Sequence, residues 1–529
     1  MFLNVRRYLS NDSDSEDDGA DKYNKYSELQ RFKVHRCSLD LPGIVQLQAR
    51  YANGNEAEFS TQQGASGPKL VVVMVGLPAR GKSYIVKKLK RYLTWLQYDT
   101  KIFNVGNLRR NMNATKNLLE VPELLGQRRH SAAFFDPDNN DAKNLRDRMA
   151  LECLDELIDW MNNGGRVGIH DATNSTVNRR KLILDHIQQK LSCKVLFVES
   201  ICNDKKTVEA NMRLKLSGPD YKNMDPDEAL NDFRKRVVNY EKAYEPISEE
   251  EEQSNMQYCK LINVGKKVIA HNIQGYLSGQ CIFYLMNFNL VERQIWLTRH
   301  GESTDNIIGR IGGNACLSAK GRRFAECLAK FISKQKIAFR QQQLAKHKAD
   351  VEAEQQSDPS AIPAPEPPEK NFHVWTSLLQ RTIDTVEHID PKEFGIMHIR
   401  FLNEIYAGLY EEMTYREIEQ LYPNEYNARK NNKLYYRYPG MGGESYLDVI
   451  HRVNPLIVEL ERMTDNILIV THQVVLRIIL AYFLDVDKES VPDMPVPLHT
   501  IYCLEPKPYG TKLTKWRYDE DTNWFLEEE

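Results

Sequence analysis

Cysteine is sparse and unpatterned: nine residues in 529, with no CxxC pair and no regular spacing. A disulfide or zinc framework needs such spacing, so reduced thiols in a cytoplasmic protein are expected. Long hydrophobic runs are missing as well. The best candidate, VVLRIILAYFL, is too short to cross a bilayer and contains Arg477. The opening MFLNVRRYLSNDSDSEDD has no apolar core segment, so no signal peptide is expected. Neither sign of charge is in excess: 71 Lys and Arg against 73 Asp and Glu give a formal net charge of −2. That argues against a general nucleic-acid or membrane-surface binder, although local basic clusters can still hold small anions. No internal repeat is found.

What is present is ordered along the chain. A length of 529 residues exceeds one ordinary core, so two domains plus extras are expected. Residues 1–66 are polar, with an acidic serine-bearing run from Ser10 to Asp18, and read as a disordered tail. Ser10, Ser13 and Ser15 suit phosphorylation in a regulatory tail; a merely solvated tail explains the composition equally well. Order begins at Lys69, where LVVVMV is a short β-branched run typical of a buried parallel strand. Strand and helix patterns then alternate through KIFNV, a helix near Asn144 to Asn162, RVGIHD and KVLFVES. A second alternating series runs from RQIWLTRH through NFHVWTS to NILIVTHQ. The expected fold class is therefore α/β, with two doubly wound domains over 67–291 and 292–529. Residues 336–370, rich in Gln, Ala, Pro and Glu, read as a mobile insertion in the second domain.

Gly76-Leu-Pro-Ala-Arg-Gly81-Lys82-Ser83 fits GxxxxGK[ST] between a predicted strand and a predicted helix. Glycines let backbone N–H groups surround a phosphate, and the helix N-terminus adds its dipole. Lys82 is placed to reach the β and γ phosphates, and the Ser83 hydroxyl to hold Mg²⁺. Asp171 ends RVGIHD, where an acid either holds the magnesium shell, takes a proton from an acceptor hydroxyl, or simply caps a helix. Arg109, Arg110, Arg146, Arg179, Arg180 and Arg236 recur around this domain. Guanidinium donors match phosphate oxygens, so several of them near strand ends point to a phosphorylated acceptor beside the nucleotide.

The second series carries different chemistry. Thr298-Arg299-His300-Gly301-Glu302 follows the strand RQIWL, and a His-Gly step there opens an imidazole to a pocket. An imidazole can attack phosphorus and carry the group as phosphohistidine, given surrounding positive charge. Arg381, four residues after Ser377, starts a helix beyond NFHVWTS. His472 follows NILIVT, and Glu404 after HIRFLN is placed as a general acid. Singly, each has an ordinary reading as a structural histidine or a solvated acid. Jointly, three motifs just past apolar strands form a catalytic pattern.

These motifs carry a family resemblance. GLPARGKS, NVGNLRR, HDATNSTVNRR, ESICND and KLSGPDY resemble the kinase half of 6-phosphofructo-2-kinase/fructose-2,6-bisphosphatase, over about Lys69 to Asn287. RHGE, TSxxxRT and THQ resemble the histidine phosphatase superfamily in type and order, to about Tyr509. The resemblance implies a P-loop nucleotide-binding kinase domain fused to a histidine-phosphatase domain, together making and hydrolysing fructose 2,6-bisphosphate with ATP and Mg²⁺. By resemblance, Arg109, Arg146, Thr173, Arg179, Arg236 and Tyr240 contact fructose 6-phosphate, and Lys215 lies near the transferring phosphate. Asp171 and Cys202 match active-site positions, although phosphoryl transfer needs no thiol and Cys202 reads better as a packing residue. Arg299, Asn306 and Arg381 match contacts of the 2-phosphate, with His472 a second imidazole. Gly312 matches a backbone contact. Tyr415, Arg429, Lys433, Tyr446, Gln473 and Arg477 match contacts to the sugar and its 6-phosphate.

The chain departs from the family pattern at Leu108, His170, the KLSGPDY order, Asn314 and Tyr406, where the family usually has an acid near Glu404. Gly440-Met-Gly-Gly443 is a small insertion. Some kinase-only relatives lack the histidine found here at 300. Small-molecule partners are expected, with a homodimer and protein kinases acting on the tail as further candidates. No nucleic acid or membrane partner is expected. Two competing readings stand: a fructose-2,6-bisphosphatase with a weak or inactive kinase half, and a catalytically dead sensor or scaffold.

Overall fold

A computed structural model describes residues 68–114, 132–216, 220–221, 224–263, 265–357, 362–507 and 510–528. The tail with Ser10, Ser13 and Ser15 lies outside the described residues, as do Ser217–Pro219 of KLSGPDY.

In the N-terminal lobe, strand β1 (Leu70–Val75) leads into helix α1 (Lys82–Trp95). Next come β2 (Thr100–Asn104), α2 (Val105–Ala114), α3 (Asn140–Asn162), β3 (Val167–Asp171), α4 (Val177–Lys190) and β4 (Lys194–Ile201). Helices α5 (Lys205–Leu216), α6 (Pro226–Lys242) and the short α7 (Glu249–Gln253) precede β5 (Gln257–Ile262), β6 (Lys267–His271) and α8 (Tyr276–Asn287). The sheet order is β2-β3-β1-β4-β5-β6, parallel except for β6. All six residues of β1 are buried, and they alternate between two cores. Leu70, Val72 and Met74 pack with α1 and α8 on one face; Val71, Val73 and Val75 pack with α3 and α4 on the other. A strand covered on both faces must be apolar throughout, which is why LVVVMV has no polar alternation. Helix α3 starts at Asn140, earlier than its apolar pattern, because the Asn139 side chain accepts a bond from Ala142 N.

The C-terminal lobe repeats the plan. It comprises β7 (Ile295–Arg299), α9 (Thr304–Ile308), α10 (Ala319–Ser357), β8 (Phe372–Thr376), α11 (Gln380–Thr385) and β9 (Gly395–His398). These are followed by α12 (Tyr415–Leu421), α13 (Pro423–Asn431), α14 (Tyr446–Arg462), β10 (Asn466–Thr471), α15 (Gln473–Leu484), β11 (Thr500–Lys507), β12 (Gly510–Asp519) and β13 (Trp524–Glu528). The sheet order is β13-β12-β11-β7-β10-β8-β9, with β7, β10, β8 and β9 parallel. The sheet is again covered on both faces: Ile467 and Ile469 of β10 join one core, Leu468 and Val470 the other.

Residues 336–357, the first part of the expected insertion, continue α10, a single helix of 39 residues. Gln, Ala, Lys and Glu are good helix formers, and the helix ends only near the proline-rich stretch that follows. Within that stretch, Arg340 of the helix donates to Pro367 O at 2.7 Å and pairs with Glu366.

The lobes meet around one fully buried acid. Glu461 of α14 is bonded by Lys88 (3.0 Å) and Arg91 (2.5 Å) of α1, with Arg293 at 3.9 Å. Tyr482 of α15 and Tyr284 of α8 donate to the same carboxylate at 2.9 and 3.3 Å. Burial alone would raise its pKa, but Lys88, Arg91 and Arg293 hold it far below the usual carboxylate range. The helix that starts at the phosphate loop therefore shares an anion with the helices that start at Tyr446 and just after His472.

Candidate active sites

In the N-terminal lobe the C-terminal ends of β1, β2 and β3 open on a cavity of about 640 Å³. The phosphate loop forms one wall. Gly76 has φ +130°, and a Cβ there would lie 2.5 Å from Ser200 O, so only glycine fits. Its N–H donates to Thr173 O at 2.9 Å, tying the loop to β3's exit. Gly81, with φ +87°, ends the loop at the N-cap of α1. Lys82 and Ser83 face the cavity, and Lys82 Nζ donates to the carbonyls of Gly76 and Leu77 at 2.7 and 2.6 Å. Burial pushes Lys82 down to about 7, partly offset by Asp171. Lys215 Nζ lies 3.5 Å from Ser83 Oγ. Burial raises the Asp171 carboxyl, opposed by Lys82, a bond from Asn104 and Lys215.

The opposite wall is cationic. Arg109 donates to Asp220 at 2.7 Å, and Arg236 stands 3.7 Å from the same carboxylate with its guanidinium 3.9 Å above the Phe135 ring. Arg179 pairs with Asp147 and donates to Arg146 O at 3.1 Å. Arg146 donates to Phe134 O, and Thr173 and Tyr240 complete the wall. Burial lowers Arg109, Arg146 and Arg179 from the ordinary arginine value. Five guanidinium groups, Arg110 at 3.2 Å from Asp220 among them, face two carboxylates, a surplus suited to a phosphate ester. Cys202 does not join them. It is buried in an apolar cluster with Ala79, Val208 and Met212 behind the loop, so it packs rather than reacts.

Sequence reasoning missed Asn104 and Asp220. Asn104 ends β2 opposite Asp171 in the parallel register and donates to its Oδ2 at 2.5 Å, while its own Oδ1 accepts from Asn107 N. Its place at the end of a strand in NVGNLRR was the available signal. Asp220 sat in a quoted motif, but nothing in spacing showed that it would face three arginines.

In the C-terminal lobe, parallel pairing aligns the ends of β7, β10 and β8, with Thr471 opposite Arg299 and Val470 opposite Thr376. His300, His472 and the Ser377 turn therefore emerge at one edge. His300 Nδ1 donates to Gly301 O at 2.7 Å, which leaves the Nε2 lone pair to accept from Arg381 Nε at 3.2 Å. Burial, then Arg381 and Arg299, push His300 well below 6.5, so the ring is neutral. His472 lies 5.1 Å away, ring to ring, and its Nε2 meets Ser377 Oγ at 2.8 Å. Burial likewise keeps His472 neutral. Arg299 donates to Val496 O at 3.0 Å, and burial pushes it down to about 10.

The supporting residues follow. Arg381 Nη1 donates to Gly313 O at 2.8 Å. The neighbouring Gly312, at φ +71°, has no room for a Cβ, which would meet Glu411 at 1.9 Å. Asn306 closes the capping box of α9 with Ser303. Glu404 Oε1 accepts from Ile405 N (2.9 Å) and from Val474 N (3.2 Å) in the first turn of α15, which begins at Gln473. Arg477 donates to Tyr446 Oη at 2.8 Å and to Met494 O at 2.7 Å. Arg429 lies over Tyr415, 5.0 Å from the ring centre, and Lys433 pairs with Asp493. Burial raises the Tyr446 hydroxyl against Arg477 and Arg429, and Arg477 adds to the lowering of Arg299.

Comparison with known proteins matches both halves. Residues 57–292 fit the 6-phosphofructo-2-kinase family model and residues 366–519 the histidine phosphatase superfamily (branch 1). A Schizosaccharomyces pombe protein named probable 6-phosphofructo-2-kinase is 46% identical over 515 residues, covering 92% of this chain and 74% of that protein. The chain belongs to the 6-phosphofructo-2-kinase/fructose-2,6-bisphosphatase family. The Saccharomyces cerevisiae 6-phosphofructo-2-kinase 1 is 45% identical, over 94% of this chain and 57% of that one. Human 6-phosphofructo-2-kinase/fructose-2,6-bisphosphatase 3 is 40% identical, over 84% and 77%. This member of the family thus carries both its kinase and its phosphatase domain, and with them the chemistry of a two-headed enzyme acting on small molecules. Among the described residues no helix is long and apolar enough to cross a membrane.

Proposed function

We propose that the chain forms fructose 2,6-bisphosphate from fructose 6-phosphate and ATP, and hydrolyses it at the 2-phosphate, so setting the level of a glycolytic signal in the cytoplasm. The observation that carries this reading is His300: a neutral imidazole whose Nε2 lone pair meets Arg381, on a chain that also holds Lys82 in a phosphate loop.

In the kinase site, Arg109, Arg146, Arg179 and Arg236, with Thr173 and Tyr240, hold the 6-phosphate and sugar opposite the loop. Gly76, Gly81 and Lys82 hold the nucleotide phosphates, with Lys215 beside the transferring group. The O2 oxygen bonds to the γ-phosphorus, its proton passes to Asp171, and ADP leaves. Ser83 and Asp171 offer the hydroxyl and carboxylate oxygens that magnesium takes together with substrate phosphates. Bound magnesium supplies neutralisation of phosphate charge there.

In the phosphatase site, Arg299, Asn306, Arg381 and His472 surround the 2-phosphate, with the backbone at Gly312 beside it. Tyr415, Arg429, Lys433, Tyr446, Gln473 and Arg477 hold the sugar and its 6-phosphate. The Nε2 lone pair of His300 forms the N–P bond as the P–O2 bond breaks, and Glu404 gives its proton to O2. Water then attacks phosphorus, Glu404 takes back a proton, and phosphate leaves with the imidazole restored. The cationic wall stabilises the charge that develops in both steps.

The test is a pair of variants. His300→Ala is expected to abolish hydrolysis and phosphoenzyme labelling while synthesis survives, and Lys82→Met the reverse. Persistence of both activities in both proteins refutes the assignment.

A further inference from the structure

Glu404 lies in a segment, 401–406, that belongs to no strand or α-helix beyond the single turn at Arg400–Leu402. A proton donor on irregular chain is useful only if that chain is held still. The holding groups can be counted. Leu402 O accepts from Thr471 Oγ1 at 2.8 Å, and the carbonyls of Phe401 (2.5 Å), Asn403 (2.7 Å) and Glu404 (3.0 Å) all accept from one side chain, Arg452 of α14. The same guanidinium forks onto Glu444, Nε to Oε1 at 2.7 Å and Nη2 to Oε2 at 3.2 Å. Glu444 in turn pairs with the main chain of Tyr406 in both directions, each bond 3.0 Å. Arg452 and Glu444 are about four-fifths buried, so these contacts are little weakened by solvent.

We propose that Arg452 is the positioning residue for the proton donor of the phosphatase reaction: its fork clamps the main chain on both sides of Glu404 and links it to the 440–444 loop. The proposal rests on the reading of Glu404 as general acid. With Oε1 fixed by the amides of Ile405 and Val474, the clamp sets where the second carboxyl oxygen carries its proton. Arg452 donates to no residue assigned to the 2-phosphate; its charge also helps to keep His472 neutral, and a lysine in its place keeps that charge. Only a planar fork of five donors can serve this many acceptors, so lysine cannot replace it.

The experiment uses the full chain with Arg452→Lys and follows formation of the phosphoenzyme, before the water step that needs Glu404 with either substrate, from fructose 2,6-bisphosphate and from p-nitrophenyl phosphate, whose leaving group needs no proton. Expected is a fall of up to about a hundredfold in the rate of phosphoenzyme formation from the sugar bisphosphate, the cost of a misplaced catalytic group, with KM unchanged. The aryl phosphate rate and the kinase activity stay near wild type. Equal loss on both substrates, a change in KM alone, or no loss overturns the proposal. Glu404→Gln serves as reference: if it slows both substrates equally, it is the general-acid reading that fails, whatever Arg452 does. Should Arg452→Lys lose kinase activity through misfolding, Glu444→Gln loosens the clamp while leaving the arginine. It is expected to give the same substrate-selective loss at smaller amplitude, and equal loss on both substrates again overturns the proposal.

Discussion

The buried acid between the lobes gives the sharpest stability prediction. Glu461 has no exposed side-chain surface and answers three cations, Lys88, Arg91 and Arg293, whose side chains are about nine-tenths or more buried. Glu461→Gln keeps the shape but leaves those cations in a dry interface without their anion. Breaking a buried pair by removing one partner costs about 3–5 kcal/mol, because the charge left behind is uncompensated. A surface pair sets the scale: Lys206–Glu354, with Lys206 77% exposed, is expected to yield only about 0–1 kcal/mol on Lys206→Ala. Urea unfolding of the full chain, followed by tryptophan fluorescence, measures both. Because the cations sit on α1 and before β7 while the acid sits on α14, kinase and phosphatase activities should lose heat resistance together. The pH dependence has a fixed sign. The folded Glu461 pKa lies below the unfolded one, so its contribution is fully present above the ordinary carboxylate value of 4.5 and fades as pH falls below it. The gap between wild type and Glu461→Gln should therefore close in acid. A loss below about 1 kcal/mol at neutral pH, or a gap that widens in acid, refutes the argument.

Two further predictions concern chemistry. Asn104→Ala removes a bond that lowers the Asp171 pKa, so the acid limb of the kinase pH profile should move to higher pH, with kcat reduced about tenfold; an unmoved limb excludes Asp171 as the base. His300 is held well below its ordinary 6.5 by burial, Arg381 and Arg299, so an NMR titration of its imidazole should show no protonation step near 6.5; such a step, missing from the His300→Ala spectrum and so belonging to that ring, would assign His300 an ordinary pKa and contradict its burial.

Local chemistry made much of this protein legible before any packing was known. The six-residue run LVVVMV had to be a doubly covered strand because no polar face alternates in it. The glycines of the phosphate loop, and the histidines and arginines that follow apolar strands, mark sites because strand ends in α/β sheets are where ligands meet backbone. Composition did not reveal the helix over 336–357, since Gln and Ala stretches without an apolar stripe satisfy helix propensity as readily as disorder. Cys202 matched an active-site position by resemblance but read from its chemistry as a packing residue, and its thiol lies in an apolar cluster. Only tertiary structure decided the pairings: Asn104 with Asp171, Asp220 with three arginines, Arg452 with the carbonyls around Glu404, and Glu461 with cations some 170 to 370 residues away in sequence. Motifs fix which groups can react, because reactivity belongs to residue type and its immediate chain. Which neighbour holds each group depends on strand order and helix crossing, and those follow from the burial of the whole chain.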